Sequence, residues 1–322
     1  MNATPVIPPS DQSLPSIPSI TVLICTRDRG ESIQSTLRSI LACHYPDFTL
    51  LVVDQSCDRR TEQAVAVFAE DPRLRYLRTH TQGLSMALNI GLAMSTSDIV
   101  VITDDDCEVP PNWITEMVAP FVRYPQVAAV FCDVIAAPHD PQAGWIPINI
   151  AAHSFLVEDL THWQTSDGVN VGIGAGMSLR RSCAQAIGGF NPLFGSGSRF
   201  RSANDVEMTL HALAAGYQIY RTTTVGVIHY GFRTHEEGRH LTRRNLFGIG
   251  ALYGQLLRRG YWITLRYYLV VFKVAVLVPA LKDLAHRQPP RKLGRAFWLL
   301  RGLIEGLATA PLVRTRGFLG LS

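Results

Sequence analysis

Short apolar runs alternate with amphipathic segments along the first two thirds of the chain. Runs rich in β-branched residues predict strands at 19–25, 48–53, 74–77, 99–103 and 127–132. Apolar residues that recur at helical spacing predict helices at 33–41, 61–70, 83–94 and 113–124. Because strands that alternate with helices at this interval form crossover units, the pattern predicts an α/β fold with a parallel, doubly wound sheet.

The chain changes character beyond about residue 236. Residues 1–235 carry 15 lysines and arginines against 22 acidic residues, whereas residues 236–322 carry 15 against 4. A basic, apolar tail of this kind suits an anionic partner. It lacks the aromatic and basic interleaving of a nucleic-acid module, so we expect no nucleic acid.

Two apolar segments of the tail, 267–281 and 298–307, predict helices. A membrane-spanning helix is the least favoured interpretation, because a span needs about 20 apolar residues. Two interpretations compete: the helices pack on the main domain, or they lie on an anionic membrane surface. We therefore divide the chain into a main domain at 19–235 and a helical tail at 236–322.

Composition also describes the N-terminus and the cellular compartment. Residues 1–18 hold five prolines and several serines, which predicts a disordered leader, and they lack the pattern of a signal peptide. The six cysteines form no CxxC pair and no zinc spacing. Free thiols in a cytoplasmic protein are therefore expected.

Three carboxylates follow the fourth predicted strand directly, at Asp104, Asp105 and Asp106. Open α/β sheets bind ligands at the carboxyl ends of their strands. Adjacent carboxylates repel one another, and oxygen ligands suit Mg²⁺ or Mn²⁺. The triplet predicts a divalent-cation site, with a solvated acidic turn as the alternative.

Other polar residues occupy comparable positions. Asp54 ends the second strand, Asp205 follows a Gly/Ser-rich loop, and His229 ends a late extended segment. Taken singly they are explained as a turn former, a helix N-cap and an ordinary buried histidine. Arg199 and Arg201 precede Asp205 and either clamp an anionic group or are solvated loop charges.

The order of these motifs over residues 19–235 resembles the family-2 glycosyltransferases of the GT-A type. The segments that carry the resemblance are Cys25–Arg29, Val52–Ser56, Gly83–Leu92, Asp104–Asp106, Gly174–Met177 with Arg180, Asn204–Glu207 and His229. The resemblance implies a Rossmann-like, mostly parallel sheet flanked by helices. It also implies an inverting transferase that uses a nucleotide sugar.

The resemblance assigns a role to each matching residue. It implies that the donor is bound by Thr26, Arg27, Asp28, Asp54, Asn89, Asp104 and Asp105. It also implies that Asp104, Asp106 and His229 coordinate the divalent cation, Mn²⁺ or Mg²⁺, and that Asp205 is the catalytic base. Two positions depart from the family's usual pattern: Leu88 replaces an arginine, and Asn204 replaces a glutamate.

The resemblance implies transfer from a UDP-, dTDP- or GDP-linked sugar to a glycan or lipid-linked acceptor, in envelope polysaccharide or glycolipid synthesis. We expect a cytoplasmic protein, peripheral at the inner face of the cytoplasmic membrane. The alternatives are a nucleotidyltransferase, although the first turn holds only Gly30, and an inactive nucleotide-sugar-binding or membrane scaffold protein. A phosphatase is disfavoured because all three lysines lie beyond residue 272.

Overall fold

The computed structural model describes residues 17–163 and 171–309. The strands are β1 (Ile20–Thr26), β2 (Phe48–Asp54), β3 (Leu74–Arg78), β4 (Ile99–Thr103), β5 (Cys107–Glu108), β6 (Val127–Ala136), β7 (Gly144–Trp145), β8 (Phe155–Val157), β9 (Met177–Arg180), β10 (Gln218–His229) and β11 (Arg233–Thr234). The helices are α1 (Ile33–Leu41), α2 (Arg60–Ala66), α3 (Leu84–Met94), α4 (Trp113–Arg123), α5 (Arg181–Ala186), α6 (Asn204–Ala214), α7 (His235–Arg258), α8 (Thr264–Phe272), α9 (Val278–Ala285) and α10 (Gly294–Ala308). Except for its last two residues, the predicted leader lies outside the described residues.

The central sheet confirms the predicted α/β class. Its strand order is β3-β2-β1-β4-β9-β6-β10-β5, and β8 also pairs with β10. The pairs among β1 to β4 and the pair β6–β10 are parallel, whereas β9 is antiparallel to both of its neighbours. The late extended segment that ends at His229 belongs to one long strand, β10, with a register shift between Arg221 and Gly226.

Both faces of the sheet are covered, which explains why its first strands are unbroken apolar runs. Alternate residues of a strand point to opposite faces. In β1, Ile20, Val22 and Ile24 belong to one buried apolar cluster and Leu23 belongs to the other. The polar residues that follow these strands consequently collect at one edge, because parallel strands end on the same side.

The tail helices α7 and α10 pack closely on each other and on the main domain. Glycines allow the close approach: a Cβ added at Gly250 would lie 2.2 Å from the carbonyl oxygen of Leu299, and one at Gly302 would lie 2.1 Å from that of Phe247. Most of the buried apolar side chains of α7, Phe247 among them, share one apolar cluster with Phe194 and Phe200 of the main domain. This part of the tail is therefore core.

The outward faces of α8 to α10 are different. Large apolar side chains lie exposed on these helices, in the turn before α8 and in the segment between α8 and α9: Trp262, Leu265, Leu269, Leu277, Leu281, Leu284, Phe297 and Ile304. We call this set the apolar tail face. No helix in the described part of the chain combines the length and the apolar composition that crossing a bilayer requires.

Candidate active site

A cleft of about 570 Å³ opens at the carboxyl edge of the parallel strands. Its walls come from the turns after β1, β2 and β4, the glycine-rich turn before β9, the first turn of α6, the end of β10, and α7. The register brings Thr26 opposite Asp54 and Ile24 opposite Thr103, so the turns after β1, β2 and β4 emerge side by side.

His229 and Asp106 meet on one side of this cleft. The Nε2 atom of His229 lies 3.2 Å from a carboxylate oxygen of Asp106. The Nδ1 atom of the same ring lies 3.1 Å from the carbonyl oxygen of Pro147, which can only accept a hydrogen bond. Nδ1 therefore carries a proton, and Nε2 is the nitrogen presented to the cleft.

Arg29 neutralises part of the acidic triplet. Its guanidinium lies 3.0 Å from a carboxylate oxygen of Asp105 and 3.1 Å from one of Asp106. Asp105 is buried, and burial raises its pKa against the opposing charge of Arg29. The turn after β1 is thus tied to the turn after β4 by charge as well as by strand pairing.

The carboxyl groups of the triplet differ in pKa. Burial, with the neighbouring Asp106 charge acting in the same direction, raises the pKa of Asp104 to about 7. Burial by itself would raise the pKa of Asp106 too, but the hydrogen bond and charge of His229 bring it below its usual value. For His229, burial acts in the opposite direction and would lower the pKa, but the hydrogen bond to Asp106 raises it above its usual value. Asp106 is therefore the most readily ionised of the three.

Asp205 faces the same cleft from the first turn of α6. One carboxylate oxygen accepts a hydrogen bond from the backbone N–H of Gly174 at 3.0 Å, and the other accepts from that of Val206 at 2.8 Å. Burial raises the pKa of Asp205, although these backbone bonds oppose the shift. Ala203, in a left-handed conformation, is the N-cap of α6, so Asp205 is not the capping residue.

The predicted nucleotide-binding residues separate into two groups. Thr26 and Arg27 line the cleft. Asp28 instead links two turns, because its carboxylate accepts a hydrogen bond from the N–H of Cys57 at 2.9 Å and its own N–H donates to the Ser56 hydroxyl.

Three other predicted residues point into the protein. Asp54 is fully buried, and its carboxylate accepts hydrogen bonds from Ser56 and from the Tyr76 hydroxyl at 2.6 Å. The amide of Asn89 bonds on both sides to the backbone of Phe190. Arg180, named with the Gly174–Met177 motif, donates to the carbonyl of Val127. Their assigned ligand contacts stay predictions.

The donor set for a divalent cation is present. Candidate ligand atoms of Asp106, Cys107 and His229 lie within 4.8 Å of one another. Carboxylate and imidazole suit Mn²⁺, so the residues fit such an ion. Cys107 is a poorer donor, because burial raises the pKa of its thiol and thiolates are the form that binds metals. Asp104 lines the same cleft outside this group, and its coordination stays a prediction.

Sequence reasoning missed several basic and polar residues of the cleft. Arg29 lies within the first motif, Cys25–Arg29, but the resemblance assigns it no role in binding. Arg233 follows β10, and Arg244 and Asn245 reach the cleft from α7, in the tail. No local pattern could have identified the last two, because their position depends on how α7 packs.

The two departures from the family pattern lie in different surroundings. Leu88 is buried in the apolar core on α3, where its side chain packs with its neighbours. Asn204 is buried beside Asp205 and lines the cleft. At Leu88, an apolar core contact therefore stands where the family usually has a charged side chain. The change at Asn204 lies next to the proposed base.

Comparisons with known proteins relate this chain to a family and to a fold. Residues 21–185 match the family model described as glycosyl transferase family 2. The uncharacterized protein y4gI of Sinorhizobium fredii is 29% identical over 237 residues, 68% of this chain and 25% of that protein. A glucosyl-dolichyl phosphate glucuronosyltransferase of Haloferax volcanii is 27% identical over 114 residues, 34% of this chain and 36% of that enzyme. The chain thus aligns with about a quarter to a third of these relatives.

A solved structure shares the fold. The mannosyltransferase PcManGT of Pyrobaculum calidifontis, in complex with GDP-Man and Mn²⁺, superposes with a TM-score of 0.63 at 19% identity, over 92% of this chain and 89% of that one. The fold is accordingly of the GT-A type. Since the family model matches about half of the chain, the chain belongs to glycosyl transferase family 2.

Proposed function

We propose that the protein transfers a sugar from a nucleoside-diphosphate sugar to an acceptor hydroxyl, with inversion at the anomeric carbon. The observation that carries this proposal is the arrangement of one cleft: Asp205 on one wall and the Asp106–His229 pair on another. The mannosyltransferase complex with GDP-Man and Mn²⁺ supports both the donor class and the ion. The family match disfavours the two alternatives, a nucleotidyltransferase and an inactive binding protein.

The reaction requires one base. The acceptor oxygen forms a bond to the anomeric carbon while the bond from that carbon to the diphosphate oxygen breaks. The hydroxyl proton passes to Asp205, and the nucleoside diphosphate leaves with the electron pair of the broken bond. A single displacement reverses the configuration, and the raised pKa of Asp205 makes it a stronger base than an ordinary carboxylate.

The leaving diphosphate needs positive charge. Asp106 and His229, with Asp104 beside them, would hold Mn²⁺ or Mg²⁺, and such an ion would supply a Lewis acid for that charge. Arg29 and Arg233 line the same cleft and add cationic donors. We propose that Thr26 and Arg27 contact the nucleotide, which is UDP, dTDP or GDP.

We assign the acceptor to glycan or lipid-linked substrates of the cell envelope, handled at the inner face of the cytoplasmic membrane. The relative acting on a glucosyl-dolichyl phosphate supports a lipid-linked class. The apolar tail face, beside exposed basic residues such as Arg266, Lys273 and Lys282, suits an anionic bilayer. Charge complementarity favours that occupant, since residues 236–322 carry 15 basic and 4 acidic residues.

A screen of UDP-, dTDP- and GDP-sugars with Mn²⁺, reading released nucleoside diphosphate, tests the donor class. For the donor that is consumed, Asp205→Asn should lower acceptor-dependent transfer by about 10²- to 10⁴-fold while donor binding persists. Thermal unfolding of the variant controls for folding, because asparagine keeps only one of the two acceptor oxygens. Unchanged transfer would refute the base, and binding without turnover of any donor would favour the inactive alternative.

A further inference from the structure

A second cavity, of about 450 Å³, lies between the loop before α6 and the tail helices α7 and α10. Five of the side chains that line it are arginines: Arg199, Arg201, Arg243, Arg244 and Arg301. Glu305 is its one acidic lining residue among those described, and it pairs with Arg301 at 3.0 Å. Most of the positive charge in this cavity thus faces no carboxylate of its own wall.

The cavity is assembled by specific contacts. Arg201 has a φ of 64°, a left-handed conformation that is rare for residues other than glycine. Arg244 donates to the carbonyl of Arg201 at 3.3 Å, and the Ser202 hydroxyl donates to Asn245 at 2.8 Å. The loop is therefore fixed to α7, and its arginines are held where like charges repel one another.

The walls also restrict how Arg301 can point. Its guanidinium lies 5.7 Å from the centroid of the Phe247 ring and 5.9 Å from that of Trp298. Guanidinium groups arranged around a concave, partly apolar space match the oxygens of a phosphate or diphosphate, to which arginine donates in a bidentate manner. Concentrating arginines in this way costs electrostatic energy that an anionic group would recover.

The basic cavity adjoins the catalytic cleft. Arg244 lines both of them. Arg201 and the base Asp205 are four residues apart, so their Cα atoms are separated by at most about 14 Å. A molecule with its hydroxyl at Asp205 can therefore place another group among the arginines.

We propose that the basic cavity binds a phosphate or diphosphate group carried by the acceptor, which makes the substrate class a phosphorylated acceptor. This inference rests on the proposed function for the acceptor's role, but phosphate binding can be measured without any transfer. The carrier is either a lipid phosphate or a soluble sugar phosphate. Both present the same chemistry to the arginines.

The binding test uses the full chain and inorganic pyrophosphate, without divalent metal, in isothermal titration calorimetry. Arg199→Gln combined with Arg243→Gln should weaken pyrophosphate binding at least tenfold, because both side chains line the cavity. Arg239→Gln, an exposed arginine on the same helix α7 and outside the cavity lining, is the matched control and should bind as the wild type does. Equal affinity in the double variant and the control would overturn the proposal.

Competition then identifies the carrier. Farnesyl phosphate in detergent micelles should displace pyrophosphate if the carrier is a lipid, and glucose 1-phosphate should do so if it is soluble; farnesol and glucose are the uncharged controls. Displacement by neither phosphate would overturn the proposal. Arginine-dependent pyrophosphate binding in a protein that consumes no nucleotide sugar would reject the proposed function and keep the phosphate site. Transfer that proceeds equally well in the double variant would reject the phosphate site and keep the proposed function.

Discussion

Asp205 shows how one residue acquires its chemistry from its surroundings. Its two oxygens accept hydrogen bonds from the backbone of Gly174 and Val206, which hold the carboxylate in place. Burial raises its pKa despite those bonds, so the ionised form is a better proton acceptor. The backbone hydrogen bonds therefore set the position of the Asp205 carboxylate, and burial sets its basicity.

The raised pKa of Asp205 predicts a displaced acid limb in the pH dependence of transfer. The ionised carboxylate is the active form, so activity falls as the pH drops through the raised pKa. We expect the midpoint in kcat to lie above the ordinary aspartate value of about 3.9. Asp205→Glu should shift this limb, which distinguishes Asp205 from other groups that titrate in the cleft. A limb at pH 4 or below, or one that Asp205→Glu does not move, would contradict the assignment.

Gly231 controls the position of His229 from two residues away. A Cβ at this position would lie 2.6 Å from Nε2 of His229 and 3.2 Å from a carboxylate oxygen of Asp106. Gly231→Ala should therefore displace the imidazole and weaken Mn²⁺ binding by about 10- to 100-fold. Calorimetric titration with Mn²⁺ measures this. Gly294→Ala, where a Cβ meets nothing within 4 Å, serves as the control. Identical Mn²⁺ affinities would exclude His229 from the site.

At the scale of elements, the contact between α7 and α10 connects the tail to the catalytic domain. Glycines at 250, 254, 302 and 306 bring the two backbones together, and each position would place a Cβ within 2.4 Å of a carbonyl oxygen. The same α7 supplies Arg244 to the cleft and arginines to the basic cavity. Helix packing in the tail thus sets the geometry of two binding sites.

Gly302→Ala should destabilise the protein, because backbone atoms cannot move aside as a flexible side chain can. Overpacking of this kind costs about 1–3 kcal/mol of unfolding free energy. Urea unfolding of the wild type and the variant measures the difference. Gly294→Ala lies in the same helix in open space and should not destabilise it. Equal midpoints for both variants would show that the helices can separate at little cost.

Across the whole molecule, net positive charge and large exposed apolar side chains are both concentrated in the tail. We expect flotation with anionic vesicles that weakens at high salt and is lower with neutral vesicles. Trp262→Gln with Leu281→Gln should reduce flotation, since these side chains are 71% and 63% exposed on the apolar tail face. Val67→Gln alters an exposed apolar residue of the main domain, 67% exposed, and should not change it.

Equal flotation of the tail variant and the Val67→Gln control would refute membrane docking through this face. Truncation at residue 240 is not a usable test. It would remove Leu246, Phe247 and Ala251, which are buried with Phe194 and Phe200 in one apolar cluster. Loss of flotation after truncation would therefore report unfolding of the core as readily as loss of the tail.

The boundaries of β1, β2 and β4 were predictable to within one residue, because each is an unbroken apolar run buried on both faces. The central position of β9 was not, since four residues after a glycine-rich turn carry too little periodicity to identify a strand or its direction. Asp54 and Asn89 show a further limit. Their motif positions were recognisable, but the orientation of their side chains depends on Tyr76 and Phe190.

The sequence by itself determined the α/β class, the family resemblance and the identity of the polar residues at the strand ends, because period and strand-end chemistry are local properties. Only the tertiary structure decided that Arg244 and Asn245 reach the cleft, that Asp205 is partly buried and restrained, and that distant arginines converge on a second cavity. Those outcomes depend on packing between segments far apart in the chain. Local patterns do not encode that packing.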